Sequence, residues 1–170
     1  MPFIGVIAKE NDSNFIKNEI LKNAKNNKFE IIKINQKSIE NMKNVKFDAL
    51  VVNENIENLL RGSKYLEYMI DKSKYVIINS DIKNNLAWLK NTGASVVTYG
   101  LNSKSSLTVS SIKEENILIC VQRTIQGING ILIEEQERNI KLEKNNVNKV
   151  YNVLAIFAIL QIYGENLQKI

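Results

Sequence analysis

The sequence predicts an α/β domain in which a doubly wound, mostly parallel sheet is followed by an antiparallel extension. Over residues 1–100, short apolar runs alternate with segments of helical spacing, which is the pattern of repeated strand–helix–strand units. Between residues 106 and 143 the apolar positions instead recur every second residue, as expected for antiparallel strands. A strongly apolar segment with helical spacing follows these strands.

The first half begins with a strand over residues 3–8 and a helix over residues 13–26. In this helix Phe15, Ile16, Ile20 and Leu21 recur at helical spacing. The same alternation continues to residue 100. Further strands are predicted over residues 29–34, 47–53, 75–79 and 95–99, and further helices over residues 37–42, 59–72 and 82–91. Because strands and helices alternate, most of the sheet is expected to be parallel.

The second half contains the predicted antiparallel meander and the last helix. Its strands are predicted over residues 106–112, 116–122, 130–135 and 139–143, separated by polar or glycine-containing turns such as residues 126–129. The last helix is predicted over residues 147–163, with Gly164 as its C-cap. No repeat or linker interrupts the pattern, so residues 1–170 are expected to form a single domain.

Composition excludes several classes of protein. The longest apolar run, residues 153–160, is far shorter than a membrane-spanning helix, and residues 1–10 lack the basic stretch of an export signal. Cys120 is the single cysteine and lies in an apolar run, which predicts a buried, unreactive thiol in a reducing compartment. We therefore expect a cytoplasmic protein that does not bind membranes.

The charged residues argue against nucleic-acid binding and against most hydrolytic chemistry. The net charge of +5 comes mainly from scattered lysines, and Arg61, Arg123 and Arg138 are far apart in the sequence. Histidine is absent from the chain, so the commonest general base and the commonest zinc ligand are both missing. We expect no nucleic-acid partner and no zinc-dependent activity.

Six segments carry a resemblance to a known family. In chain order they read GVIAKENDSN from Gly5, IIKINQ, FDALVVN, KYVIINSD, VVTYG and VYNVLA. They resemble landmarks of the ATP-binding central domain of the Mur ligases: the phosphate loop G-I-T-G-T-N-G-K-T-T, a strand with a magnesium-binding glutamate, a strand F-D…T-N, a strand ending N-x-D-D, and the motifs V-I-T-Y-G and V-Y-N-A-L-A. The resemblance spans essentially the whole chain and implies a P-loop, Rossmann-like sheet without the family's N- and C-terminal domains.

The same resemblance shows which ligand-binding positions have changed. Aligned on Gly5, the last loop glycine becomes Asn11 and the phosphate-binding lysine becomes Asp12, while Ser13 keeps the hydroxyl that would hold magnesium. Lys33 stands where the family has its metal-binding glutamate, and the family's histidine has no counterpart. We interpret Asp12 or Ser13 as the N-cap of the first helix.

Five positions stay within the family pattern. As remnants of a cofactor site, the resemblance implies Ser13, Asn53, Asn79, Asp81 and Asn152. Asn79, Asp81 and Asn152 are interpreted equally well as helix-cap or strand-end turn residues, and Asn53 as an ordinary strand-end residue. The family's G-x-H-N before the last helix is replaced by residues 146–149, NVNK.

These observations favour a non-catalytic Mur ligase-like domain that acts as a binding or regulatory module. Its expected partner is a second copy of the chain or a protein of cell-wall synthesis, and no ATP or magnesium is expected as cofactor. One alternative is a surviving ATP-dependent carboxylate–amine ligase, in which Lys9 or Lys33 takes over the phosphate contact. Another is a pocket with a changed ligand, in which Lys9, Lys33 and Asn53 bind a small anion or a peptide.

Overall fold

The fold is built around an eight-stranded sheet with the strand order β10-β7-β6-β5-β4-β3-β1-β2. A computed structural model describes residues 1–42, 44–60, 64–143, 146 and 149–170. The strands are β1 (Phe3–Ile7), β2 (Glu30–Ile34), β3 (Ala49–Val52), β4 (Tyr75–Asn79), β5 (Ser95–Tyr99), β6 (Leu107–Lys113), β7 (Asn116–Val121), β8 (Ile125–Gln126), β9 (Leu132–Ile133) and β10 (Gln136–Lys141). The α-helices are α1 (Glu10–Asn23), α2 (Ile56–Leu60), α3 (Lys64–Lys72) and α4 (Val150–Ile162).

The first five strands form the predicted parallel sheet. Their order is β2-β1-β3-β4-β5, and all neighbouring pairs are parallel. The strand order reverses between β1 and β3, where the chain leaves β1 toward β2 on one side and later returns to β3 on the other. Polar loops after the two strands diverge at such a point and leave a crevice outside their carboxyl ends.

Helices cover both faces of the parallel strands, as the doubly wound prediction requires. On one face, α1 and α4 pack against β-strand side chains that include Ile4, Val51 and Ile77. On the other face, α3 side chains such as Leu66 and Met69 pack with Leu50 and Val76 of the same strands. β3 is buried on both sides, which explains why it is read as a continuous apolar run rather than an alternating one.

The antiparallel extension is smaller than the period-two pattern predicts. β7 pairs antiparallel with β6 and with β10, while β6 itself pairs in parallel with β5. The segment 130–135 does not join this sheet: its β9 pairs with β8 in a separate two-stranded ribbon. The reason is local, because Asn129 and Gly130 both have positive φ angles and turn the chain sharply before β9.

Three predicted helices have different bounds in the structure. α1 begins at Glu10 and not at residue 13, since the acidic residues Glu10 and Asp12 suit the positive end of the helix dipole. Residues 37–42 contribute only the 3₁₀ turn Glu40–Met42, after a turn in which the Asn35 side chain accepts backbone N–H groups. Residues 82–91 contribute only the 3₁₀ helix Asn85–Leu89, because Asn84 has a left-handed backbone.

The predicted helix over residues 59–72 is α3 preceded by the short α2, and residues 61–63, including Arg61, lie outside the described part. The start of the last helix at residues 147–148 also lies outside it. Helix α4 is buried on nearly every side, with eleven of its 13 residues inaccessible.

Gly164 ends α4 one position later than predicted, because the C-cap is Tyr163 and the glycine follows it. This residue has a φ angle of +73°. The N–H of Glu165 donates to the Leu160 carbonyl at 2.8 Å, and the N–H of Gly164 donates to the Gln161 carbonyl at 3.0 Å. This pair of bonds is a Schellman motif, which satisfies the last carbonyls of the helix.

Glu165 fastens the segment after α4 to the loop between α1 and β2. Its carboxylate is buried and accepts hydrogen bonds from the backbone N–H groups of Lys25, Asn26 and Asn27 and from both asparagine side chains. Burial raises the pKa of this carboxyl, but the hydrogen bonds outweigh burial and hold the pKa below its ordinary value. This contact also explains why α1 stops at Asn23, three residues earlier than the periodicity predicts.

The last residues run beside the edge strand β10. The N–H of Lys141 donates to Gln168, and the N–H of Ile170 donates back to the carbonyl of Lys141. Ile170 is fully buried there. This pairing covers backbone groups that an open sheet edge would leave unsatisfied.

Two sequence expectations concern exposure. Cys120 is only partly buried, so the prediction of a buried thiol is wrong: along β7 it alternates with buried residues and therefore lies on the opposite face of the sheet from them. Among the described residues, no helix is both long enough and apolar enough to cross a membrane.

Candidate functional site

The loops at the carboxyl ends of β1, β3 and β4 and the start of α4 surround a cavity of about 470 Å³. It lies beside the point between β1 and β3 where the strand order reverses, which is where open α/β sheets bind ligands. We call it the asparagine cavity. Its lining residues are Lys9, Asp12, Asn53, Glu54, Asn55, Asn79, Ile82, Lys149, Tyr151 and Asn152.

A directed chain of side-chain hydrogen bonds crosses the cavity. The amide nitrogen of Asn79 donates to Asn53 Oδ1 at 3.0 Å, and that of Asn53 donates to Asn152 Oδ1 at 2.7 Å. The amide nitrogen of Asn152 then donates to Asp12 Oδ1 at 2.7 Å. The chain starts at the backbone N–H of Asp81, which donates to Asn79 Oδ1 at 3.0 Å. Each link fixes the orientation of the next amide, so the lining is rigid and preorganised.

The Asp12 carboxylate ends this chain in the first turn of α1. Its charge acts on Tyr99, a fully buried residue of β5. Burial first, and then the negative charge of Asp12, raises the pKa of Tyr99 well above its ordinary value. The phenol therefore stays neutral while a negative charge stands at the amino end of α1.

Charges of both signs line the walls of the cavity. Within the described residues, the ammonium of Lys9 and the carboxylate of Glu54 have no ion-pair partner. The ammonium of Lys149 lies 3.9 Å from the ring centre of Phe15, which is a cation–π contact. With Asp12 included, the cavity wall carries two positive and two negative side chains.

Asp81 lies at the edge of the asparagine cavity and holds the loop after β5. Its carboxylate accepts from the backbone N–H of Leu101 at 2.6 Å, from Asn102 Nδ2 at 2.6 Å and from the Tyr151 hydroxyl at 3.1 Å. Burial raises its pKa, yet the donors, Asn102 first, hold the pKa below its ordinary value. A neighbouring cavity of about 510 Å³ includes Asp81 in its lining.

Ser13 and Lys33 line a different cavity of about 330 Å³, which shares Lys9 and Glu54 with the asparagine cavity. The ammonium of Lys33 lies 2.7 Å from Glu10 Oε1 and donates to Asn14 Oδ1 at 2.7 Å. The hydrogen bond from Lys33, together with its charge, lowers the pKa of Glu10. Lys9, Lys33 and Asn53 therefore do not converge on one cavity, and the charge of Lys33 is already balanced.

The interpretation of Asp12 or Ser13 as a helix cap is wrong. The N-cap position is Lys9, and no side chain caps it. The Ser13 hydroxyl is buried and donates to the Glu10 carbonyl at 2.9 Å, while the Asp12 carboxylate bonds across the cavity to Asn152. α1 begins earlier than predicted, which moves both residues from the cap into its first turn.

Several lining residues were not among the predicted site residues. Glu54 and Asn55 directly follow Asn53 after a buried strand, and Lys149 and Tyr151 shortly precede Asn152. Their position next to predicted site residues is the signal that could have identified them. Across the described ranges, no group of three His, Cys, Asp or Glu residues could hold a metal ion.

Comparison with known proteins gives one informative match. Over 104 residues the chain is 32% identical to the UDP-N-acetylmuramoyl-L-alanyl-D-glutamate–2,6-diaminopimelate ligase of Bacillus cereus, covering 61% of this chain and 19% of that ligase. No protein-family model matches the chain. The similarity supports a relationship to the Mur ligases, while the chain spans about a fifth of the length of the ligase that it matches.

Proposed function

We propose that this chain is a non-catalytic Mur ligase-like domain, corresponding to the central domain of those ligases, that works as a binding or regulatory module. The observation that carries the proposal is the contact between Asp12 and Asn152, 2.7 Å long, in the first turn of α1. A phosphate loop needs backbone N–H groups and a lysine at this point. A carboxylate held there repels a triphosphate.

The second support is the electrostatics around Lys33. Where the resemblance places a magnesium ligand, the ammonium of Lys33 is paired with Glu10. A hard cation requires oxygen ligands, and an ammonium group repels it. The residues present therefore fit Mg-ATP poorly, and phosphoryl transfer lacks the cations that stabilise its transition state.

Titration calorimetry tests the proposal with Mg-ATP, ADP and a non-hydrolysable ATP analogue. We expect no binding at millimolar nucleotide. The matched variant carries Asn11→Gly, Asp12→Lys and Lys33→Glu together, which restores the family residues, and a gain of nucleotide binding would identify these three positions as the cause of the loss. Micromolar, magnesium-dependent binding by the unmodified chain would refute the proposal.

The ligase alternative depends on Lys9. Of the two lysines that could replace the lost loop lysine, Lys33 is engaged by Glu10 and Asn14, whereas Lys9 has no ion-pair partner among the described residues. Turnover of ATP with a carboxylate and an amine as substrates would support this alternative. Loss of that turnover in Lys9→Met would assign the phosphate contact to Lys9.

A pocket with a changed ligand is favoured by the size and the balanced charge of the asparagine cavity, about 470 Å³. A thermal-shift screen of small anions and short peptides tests it, with Asn53→Leu as the variant that interrupts the lining.

As a module, the domain would act on a second copy of itself or on a protein of cell-wall synthesis. Light scattering of the purified chain tests the first of these partners, and a monomer at all concentrations would exclude it.

A further inference from the structure

A second groove lies between one stripe of α3 and the segment after β4, and it shares no lining residue with the asparagine cavity. Four of the five α3 residues that line it, Lys64, Glu67, Tyr68 and Asp71, follow the i, i+3, i+4, i+7 spacing of a single helix face. The groove has a volume of about 430 Å³, within the range of small-molecule sites. Its other lining residues are Ile70, Trp88, Asn91 and Thr92.

Two aromatic side chains line this groove and remain partly accessible, and one of them, Trp88, also packs with its buried part against the core below α3. The core-facing stripe of α3 is formed by Leu66, Met69 and Ile70, all buried. Tyr68 is 41% exposed, and Trp88 is half-buried on the opposite side. An accessible tyrosine or tryptophan ring exposes apolar surface to water. When a flat apolar surface stacks on that ring, this surface is removed from water and the free energy of the complex falls.

The polar lining does not select a charged ligand. Asp71 is neutralised by Lys72, whose ammonium lies 2.7 Å away. Lys64 and Glu67 carry opposite charges, and neither has an ion-pair partner in the described ranges. The ammonium of Lys72 already lies 5.7 Å from the Tyr68 ring centre, so a further organic cation would meet repulsion there.

We propose that this groove, the Tyr68–Trp88 groove, binds a neutral saccharide. A pyranose ring has one flat face of C–H groups, which stacks on aromatic rings, and a rim of hydroxyls that both donate and accept hydrogen bonds. The Glu67 carboxylate accepts from such hydroxyls, the Lys64 ammonium donates to them, and the Asn91 amide does both. Aromatic faces combined with a mixed donor and acceptor set of balanced charge fit this ligand class.

The test uses the fact that Trp88 is the only tryptophan of the chain. Its fluorescence is titrated with glucose, N-acetylglucosamine, cellobiose and chitobiose on the full chain. We expect a saturable change with at least one of these sugars at millimolar concentration. Tyr68→Ala is expected to weaken binding about three- to tenfold, the value of one stacking contact. Leu86→Ala, which truncates an exposed side chain of the same 3₁₀ helix outside the groove, should leave the affinity unchanged.

Saturation-transfer NMR on the sugar protons gives a second readout that does not depend on tryptophan emission. Trp88→Ala should abolish the transfer while the variant keeps a cooperative thermal transition. The proposal would be overturned if none of the four sugars produced a saturable fluorescence change or a saturation-transfer signal at concentrations up to about 100 mM, which is on the order of the weakest useful affinity. Saturation by choline but not by sugars would also overturn it, and would assign the groove to organic cations.

Discussion

Replacing Glu165 with glutamine is expected to lower the free energy of unfolding by about 3 kcal/mol. Glu165 Oε1 accepts hydrogen bonds from three donors, the N–H of Asn26, the N–H of Asn27 and Asn27 Nδ2, at 2.7–2.8 Å. Oε2 accepts from the N–H of Lys25 at 3.1 Å and from Asn26 Nδ2 at 3.2 Å. In the glutamine variant one carboxylate oxygen becomes an NH₂ group. Placed at the Oε2 position, this group cannot accept the hydrogen bonds that the N–H of Lys25 and Asn26 Nδ2 donate there.

The magnitude follows from the cost of leaving donors without an acceptor. Each buried donor that loses its partner costs roughly 1–3 kcal/mol, and the loop over residues 25–27 is accessible enough for water to recover part of that cost. Two lost acceptors at the lower end, together with the lost charge, give about 3 kcal/mol. For a domain of this size the melting temperature should fall by roughly 6–12 °C.

Urea unfolding at several pH values provides the assay. Because the folded state holds the pKa of Glu165 below the ordinary value of 4.5, its contribution is present above pH 4.5 and is lost as the pH falls through the folded-state pKa. The difference between the native chain and Glu165→Gln should therefore be largest near pH 7 and shrink in acid. Glu114→Gln, at an exposed position, is the matched control. A difference below about 0.5 kcal/mol at pH 7, the usual range for an uninvolved surface change, would refute the reasoning, as would a difference that is independent of pH.

Three further substitutions test the hydrogen bonds of the asparagine cavity and the close packing at two glycines of the sheet. Asn152→Ala removes both bonds of the central amide, to Asn53 and to the first turn of α1, and should cost about 2 kcal/mol by chemical denaturation; an unchanged midpoint would contradict the hydrogen-bond chain. Gly5→Ala places a methyl group 2.7 Å from a buried isoleucine methyl group and should cost about 1–3 kcal/mol, measured in the same way. Gly100→Ala brings a methyl group within 2.7 Å of Asp81 Oδ1, so we expect the amide NMR signals of the loop after β5 to move while those of β2 stay in place.

The strands could be predicted from the sequence because each is a short run of apolar, often β-branched residues. The predicted strands over residues 75–79 and 95–99 coincide with β4 and β5 in the structure. Helix ends were harder to predict, for two reasons. The end of α1 depends on Glu165, a contact distant in sequence. The helix predicted over residues 82–91 is shortened by the left-handed backbone of Asn84, a conformation that apolar periodicity does not report.

The candidate site likewise contains residues that the local sequence predicts and a contact that it does not. Asn53, Asn79 and Asn152 were predicted as site residues from their motifs, and they lie within hydrogen-bond contact of one another in a chain. Asp12 was assigned to a helix cap, because local sequence offers a backbone partner for an aspartate near a helix start. Its actual partner, Asn152, is 140 residues away.

The sequence by itself determined the α/β class, the alternation of strands and helices and the presence of polar residues after the parallel strands, since these depend on apolar periodicity and on turn chemistry. The tertiary structure alone decided the strand order, and with it the partners of each polar side chain. The bonds that join Asn79, Asn53, Asn152 and Asp12 span 26, 99 and 140 residues. Such pairings have no local signature, because they form only when the packing of β1, β3, β4 and α4 brings the loops together.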